Sequence, residues 1–175
     1  MTNRERIVLG LILLVAIAGF WFPRPAPKTR NLTILPETVG DIGFIGCSNT
    51  SQTVFGYFLE GGERFWSFSE SDLHQYDGGA AISWAQNRNG YWETFDTFWR
   101  MNPETNTIWW QLCIRKEEAE MTYEDAFPVI EHIRSAYPNV TIYVSPLTEF
   151  TGEVCELTGI EGIERAKSLA TELDE

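Results

Sequence analysis

Histidine is almost missing from this chain: among 175 residues only His74 and His132 occur. That scarcity removes the usual proton carrier of hydrolytic chemistry near neutral pH. Basic residues are scarce too. The first 30 residues carry five Lys or Arg and one acid, whereas the remaining 145 hold eight basic and 24 acidic side chains, a formal balance of −16. A body so acidic repels nucleic acid and anionic lipid head groups, so no nucleic-acid partner is expected. Internal repeats and sustained coiled-coil patterns are also lacking, which counts against a structural or assembly protein. Nothing in the residue pattern calls for a cofactor or a metal.

Aromatic residues are plentiful, at 14% of the chain, and supply the bulk for a core; with this length they argue for one folded domain and against disorder. Only one long apolar run occurs, residues 7–22, which no charge interrupts and which Arg4 and Arg6 precede. It reads as a signal anchor or transmembrane segment after a short tail, residues 1–6. Trp21 and Phe22 suit the membrane interface, and Pro23, Pro25 and Pro27 open an extended spacer, residues 23–40. The alternative is cleavage after Ala16-Ile17-Ala18, which would release a secreted protein. Either way the folded domain, residues 41–175, is expected outside the cytoplasm, with residues 7–22 as its link to the membrane. Positive charges flank the run on both sides, Arg24, Lys28 and Arg30 after it, so charge alone does not set the orientation. The tripeptides beginning at Asn31, Asn49 and Asn139 match a glycosylation pattern that also arises by chance.

The domain opens on Ile42-Gly43-Phe44-Ile45-Gly46-Cys47-Ser48-Asn49-Thr50, a short apolar run that stops at a glycine and passes to small polar residues. This is the composition of a buried strand turning directly into a helix through Val54 and Phe58. Such a turn stands at the carboxyl edge of an open α/β sheet, beside the free N–H groups of the helix start. Ser48 is the residue it presents, either as a nucleophile or simply as the cap of the helix.

Gly61-Gly62 ends that helix, and Phe65-Trp66-Ser67-Phe68 reads as a short second strand or edge. Gly78-Gly79 then leads into a helical start at Ala80-Ala81, where bare backbone can approach a ligand or merely turn the chain. Aromatics at 91, 95 and 98 and at 92 and 99 follow helical spacing, either a core-facing amphipathic helix or a sugar-binding stripe. Thr107 to Ile114 is the clearest buried strand. Arg115 to Glu120 form the loop at its end, and Thr122 with Asp125 starts a helix whose core positions are Ala126, Ile130, Ile133 and Tyr137, leaving His132 on the solvent flank. Val140 to Val144 is a further strand ending at Ser145-Pro146, and a last helix from Gly159 repeats apolar residues at Ile160, Ile163, Ala166, Ala170 and Leu173. Alternating strands and amphipathic helices predict a mostly parallel sheet with helices on both faces.

This ordering resembles the SGNH, or GDSL-type, hydrolases, esterases and acylhydrolases on a three-layer flavodoxin-like α/β fold. The likeness spans residues 42–173 and rests on Gly46-Cys47-Ser48 in the place of the family's Gly-Asp-Ser, and on the unit from Ile108 to Pro146 with its turn Tyr137-Pro138-Asn139. It implies Ser48 as nucleophile, and Gly79, or else Gly78, as the second-block glycine of the oxyanion hole. The third block, Gly-Thr-Asn-Asp, falls on Cys113-Ile114-Arg115-Lys116, putting Arg115 where the family has its oxyanion asparagine. The last block, Asp-x-x-His, falls near Glu153-Val154-Cys155-Glu156, without a histidine, so Glu156 is the residue left to act as the base. His74 reaches the site only by an unusual loop path.

Within that layout Cys47, Cys113 and Cys155 each lie in a block and come toward one edge of the sheet. Cys47 and Cys113, on neighbouring strands, would pair as a disulfide; three thiolates holding zinc, Cys47 as a nucleophile, and small apolar packing at strand ends are the alternatives. Two functions follow. One is a membrane-anchored esterase or acylhydrolase for small esters or acylated glycans or lipids. The other is a catalytically impaired member of the fold that binds a ligand or partner in the cleft, with Trp84, Trp92 and Trp99 among its lining.

Overall fold

A computed structural model describes residues 40–67, 79–147 and 154–174. The expected anchor, residues 7–22, lies outside the described residues; among those described, no helix is long and apolar enough to cross a membrane.

The domain is an α/β fold built on three parallel strands, β1 (Ile42–Ile45), β2 (Thr107–Leu112) and β3 (Thr141–Pro146), in the order β1-β2-β3. Ile42 sits opposite Thr107, and Thr107 opposite Thr141. A fourth position extends the sheet on the far side of β1: Ile42 N–H donates to Arg64 O at 2.9 Å and Trp66 N–H to Ile42 O at 3.0 Å, in a parallel bridge to Phe65. The chain therefore leaves β1 for one side, returns across it to β2, and continues the other way to β3. That reversal puts a switch point between the carboxyl ends of β1 and β2, where open α/β sheets form a crevice. The layout is consistent with a flavodoxin-like sheet.

Helices cover both faces. Helix α1 (Ser48–Leu59) buries Thr50, Ser51, Val54 and Phe58, one stripe at helical spacing. Its Tyr57 meets the Phe65 ring at 5.1 Å, and Phe65 packs in turn on Phe44 at 5.8 Å and Trp109 at 5.5 Å. The neighbouring Trp66 takes the opposite face. Its fully buried indole lies against Gly43, where an added Cβ would stand 2.6 Å from Cζ2, and its N–H donates to Thr105 Oγ1 at 2.8 Å. There it meets Phe95 and Phe98 of α3 (Tyr91–Met101), at centroid distances of 4.9 and 6.3 Å. The aromatic stripe of α3 is thus core, not a sugar platform: Trp92, Phe95 and Phe98 are buried.

Between these lies the five-residue α2 (Ala81–Ala85), packed on α4 (Tyr123–Ala136). The start of α4 is fixed by a reciprocal cap, Asp125 N–H to Thr122 Oγ1 at 3.3 Å and Thr122 N–H to Asp125 Oδ2 at 2.9 Å. Those hydrogen bonds hold the Asp125 carboxyl below its usual range. Helix α5 (Gly159–Asp174) packs on β3 and buries Gly162, Ile163, Ala166 and Leu169. Here the sequence expectation fails at one position: Ile160 is 59% exposed. The cause is Gly162, whose missing side chain lets α5 approach the end of β2 so closely that a Cβ would lie 2.2 Å from Ile114 O. Ile160, two positions earlier and about 200° around the helix, then faces away.

Candidate active site

The polar turn after β1 is built around a residue the sequence reading did not single out. At Gly46 (φ 157°) a Cβ would stand 2.1 Å from Thr50 Oγ1, so glycine lets the turn close onto the first turn of α1. Thr50 is 1% exposed; its hydroxyl accepts from Cys47 N–H at 3.1 Å and donates to Gln111 Oε1 on β2 at 2.8 Å. Cys47, not Ser48, is the N-cap, with extended backbone. Ser48 is the first residue of α1 and is exposed, so the capping role does not account for it. The signal that reveals this network is Gln111, a polar side chain in the run Trp109-Trp110-Gln111-Leu112; a buried amide needs a partner, and Thr50 supplies it.

Cys47 and Cys113 form a disulfide across the switch-point crevice, with an S–S distance of 2.08 Å and Cα atoms 6.1 Å apart. Three alternatives fall with it: the three-thiolate zinc site, Cys47 as a free thiolate nucleophile, and, for Cys47 and Cys113, packing as unbonded small apolar side chains. Cys155 is the free cysteine, half-buried in the turn before α5. The Thr158 hydroxyl and the N–H groups of Thr158 and Leu157 favour its thiolate and lower its pKa.

The Gly79 loop joins the same edge. Ala81 N–H donates to Cys113 O at 2.8 Å, and Gly79 lies so close to Ser83 and Tyr91 that a Cβ would stand 2.5 Å from Ser83 Cβ. Gly78 and His74 lie outside the described residues, as does Glu153. Beneath the loop, Trp84 Nε1–H donates to Gly46 O at 3.0 Å, and Trp92 Nε1–H donates to Trp84 O at 3.0 Å. These two indoles are 1% and 4% exposed, and Trp99 is half-buried against Phe95 and Tyr137. The expectation that Trp84, Trp92 and Trp99 line a cleft is therefore overturned for Trp84 and Trp92, whose N–H groups and faces are used beneath the turn, while Trp99 packs its ring on Phe95 and Tyr137.

Arg115 follows the bridge and is exposed; it pairs with Glu118 on a short 3-10 turn (Lys116–Glu118), which raises its already high pKa. Glu156 is exposed in the turn before α5, and that turn is fastened to the same segment by Lys116 N–H donating to Leu157 O at 3.0 Å. Ser48, Gly79, Arg115 and Glu156 thus stand on segments gathered at the carboxyl ends of the strands.

His132 does not join them. Helix α4 runs back from that edge, and residue 132 is about 14 Å along it. Nor is His132 a solvent-flank residue: its ring stacks on Trp92 at a centroid distance of 3.9 Å, and Nε2 is covered without a hydrogen-bond partner. Burial lowers its pKa from 6.5, against the opposing pull of Asp96 and Glu93. Between that lowered value and 6.5 the unfolded chain binds more proton than the folded one, so stability rises with pH in this window. The contribution is complete above pH 6.5 and is lost as pH falls through the native pKa. We expect the urea midpoint to drop between pH 7 and 5, and His132→Phe, which keeps a ring on Trp92, to show a smaller drop; equal slopes would refute the assignment.

Comparison with known proteins adds no relative: no family model, no curated protein and no solved structure matches the chain.

Proposed function

We propose that the chain is an SGNH-like serine ester hydrolase, held to a membrane by residues 7–22 and acting outside the cytoplasm on small esters or on acylated glycans or lipids. The observation that carries this reading is the exposed Ser48 at the head of α1, beside the β1–β2 switch point, with the Gly79 and Arg115 segments tied to the same edge. Ser48 Oγ attacks the ester carbonyl, the N–H groups of Ser48 and Gly79 receive the oxyanion, and the alcohol leaves; water then releases the acid. Glu156 takes the serine proton and returns one to the leaving group. A solvent-exposed carboxylate is a weak base for a hydroxyl, so turnover is slow and activated esters are favoured. Arg115 assists an oxyanion only by exchanging its Glu118 partner.

The second reading, a catalytically impaired protein that binds a ligand at this edge, is favoured by the Arg115–Glu118 pair and by the remoteness of His132. Fluorophosphonate labelling of the full chain separates the two. Labelling of the wild type that disappears in Ser48→Ala and falls about tenfold or more in Glu156→Gln supports the hydrolase, in line with the usual worth of a general base. A folded wild-type chain that takes up no label supports the binding reading.

A further inference from the structure

The switch point of an open α/β sheet is where a ligand is normally received, and here a cystine spans it. Its two halves are unequal. Cys47 is only partly buried and caps the twelve-residue α1, whereas Cys113 is 5% exposed at the end of β2. The hydroxyl of Thr50 lies 3.9 Å from Cys113 Sγ, within reach of a hydrogen bond to sulfur. The bridge is also not the only tie at this point. Thr50 joins the α1 turn to Gln111 of β2, Ala81 N–H is bound to Cys113 O, and β1 pairs with β2 along its whole length. Opening the S–S bond therefore leaves the turn attached to the sheet.

We propose that Cys47–Cys113 is a redox-active pair that exchanges with an external thiol, Cys47 being the sulfur attacked and Cys113 the leaving and resolving sulfur. This goes beyond the ester-hydrolase reading and does not depend on it. An external thiolate attacks Cys47 Sγ from solvent; the S–S bond breaks, its electron pair passes to Cys113 Sγ, 3.9 Å from the Thr50 hydroxyl oxygen, and that sulfur takes up a proton from solvent while Thr50 keeps its bond to Gln111. The product is a mixed disulfide on Cys47. A second external thiol attacks the external sulfur of that adduct and releases Cys47 as a thiolate, favoured by its place at the N-terminus of α1. In sum, two electrons reduce the protein cystine and two external thiols become one disulfide; the reverse sequence reoxidises the pair. The partner is a small thiol of the glutathione type or an exposed protein cysteine. Because Ser48 is the next residue, the redox state of Cys47 changes the charge beside it.

The test uses the full chain carrying Cys155→Ser, so that only the two bridged sulfurs report. It is equilibrated in mixtures of reduced and oxidised glutathione, quenched with acid and alkylated, and the Cys47 and Cys113 peptides are weighed while far-UV circular dichroism follows the fold. The expected result is a bridge that opens with glutathione ratio while the fold persists. Single variants test the asymmetry: a glutathione adduct forms on Cys47 in Cys113→Ser about tenfold or more faster than on Cys113 in Cys47→Ser, as exposure and a helix start favour. A bridge that opens only when the chain unfolds, or adducts that form equally fast on both sulfurs or faster on Cys113, would overturn the proposal. The titration of the bridged Cys155→Ser chain stands on its own if either single-cysteine variant fails to fold.

Discussion

Trp84→Ala is expected to lower the free energy of unfolding by about 3–5 kcal/mol, the cost of emptying a buried aromatic site. Three observations put the value there. The indole is 1% exposed, its rings meet Tyr91 and Trp92 at 5.2 and 5.0 Å, and its N–H donates to Gly46 O. The last contact matters most for the site, since Gly46 is the hinge from which Cys47 and Ser48 project. Trp84→Phe retains most of the volume and loses the hydrogen bond, leaving a carbonyl unpaired, so its cost should be about 1–3 kcal/mol. Against a total stability of about 5–15 kcal/mol, the alanine variant is near the limit of folding and the phenylalanine variant is not. Urea unfolding of the three proteins measures both steps. If alanine and phenylalanine cost the same, Trp84 does not act as a packed wedge.

The second large effect is the loss of the bridge. Cys47→Ala with Cys113→Ala removes a cross-link over a sequence separation of 66 residues, which chain entropy values at about 4 kcal/mol and measured bridges at about 2–4. The variant should remain folded at room temperature, because Thr50 still ties α1 to Gln111 and β1 still pairs with β2. Adding Thr50→Val should cost more in the bridge-free background than in the wild type, since the two ties back each other up. Thermal unfolding of the four combinations gives the coupling; additive costs would mean that the bridge and the Thr50 network act independently.

The regular elements were legible in the sequence because their signals are local. Thr122 with Asp125 marks the start of α4, the mainly apolar run Ile108-Trp109-Trp110-Gln111-Leu112 marks β2, and Gly61 marks the end of α1 with a left-handed φ of 91°. Position on the sheet edge was legible too, since Gly46 closes a buried strand. What the sequence hid are choices made by distant partners. Nothing local says that Gln111 finds Thr50, 61 residues away, or that Trp84 spends its N–H on Gly46 O rather than facing a cleft. The same holds for α5, where Ile160 belongs to the apolar repeat, yet close approach at Gly162 sets the rotation of the helix and leaves Ile160 outside. His132 was misread for a related reason: helical spacing puts it at the border of the buried stripe, and only the neighbouring α3, by offering the face of Trp92, covers it.

On the proposed hydrolase reading, the edge formed by the carboxyl ends of β1 and β2 presents a reactive Ser48. The most direct measurement is the mass of each peptide of the folded full chain after exposure to an activated fluorophosphonate, read residue by residue against time. A single adduct is expected on the peptide carrying Ser48, absent when the chain is first unfolded in urea. Adducts spread over several serines at equal rates, or the same Ser48 adduct in the unfolded chain, would contradict it.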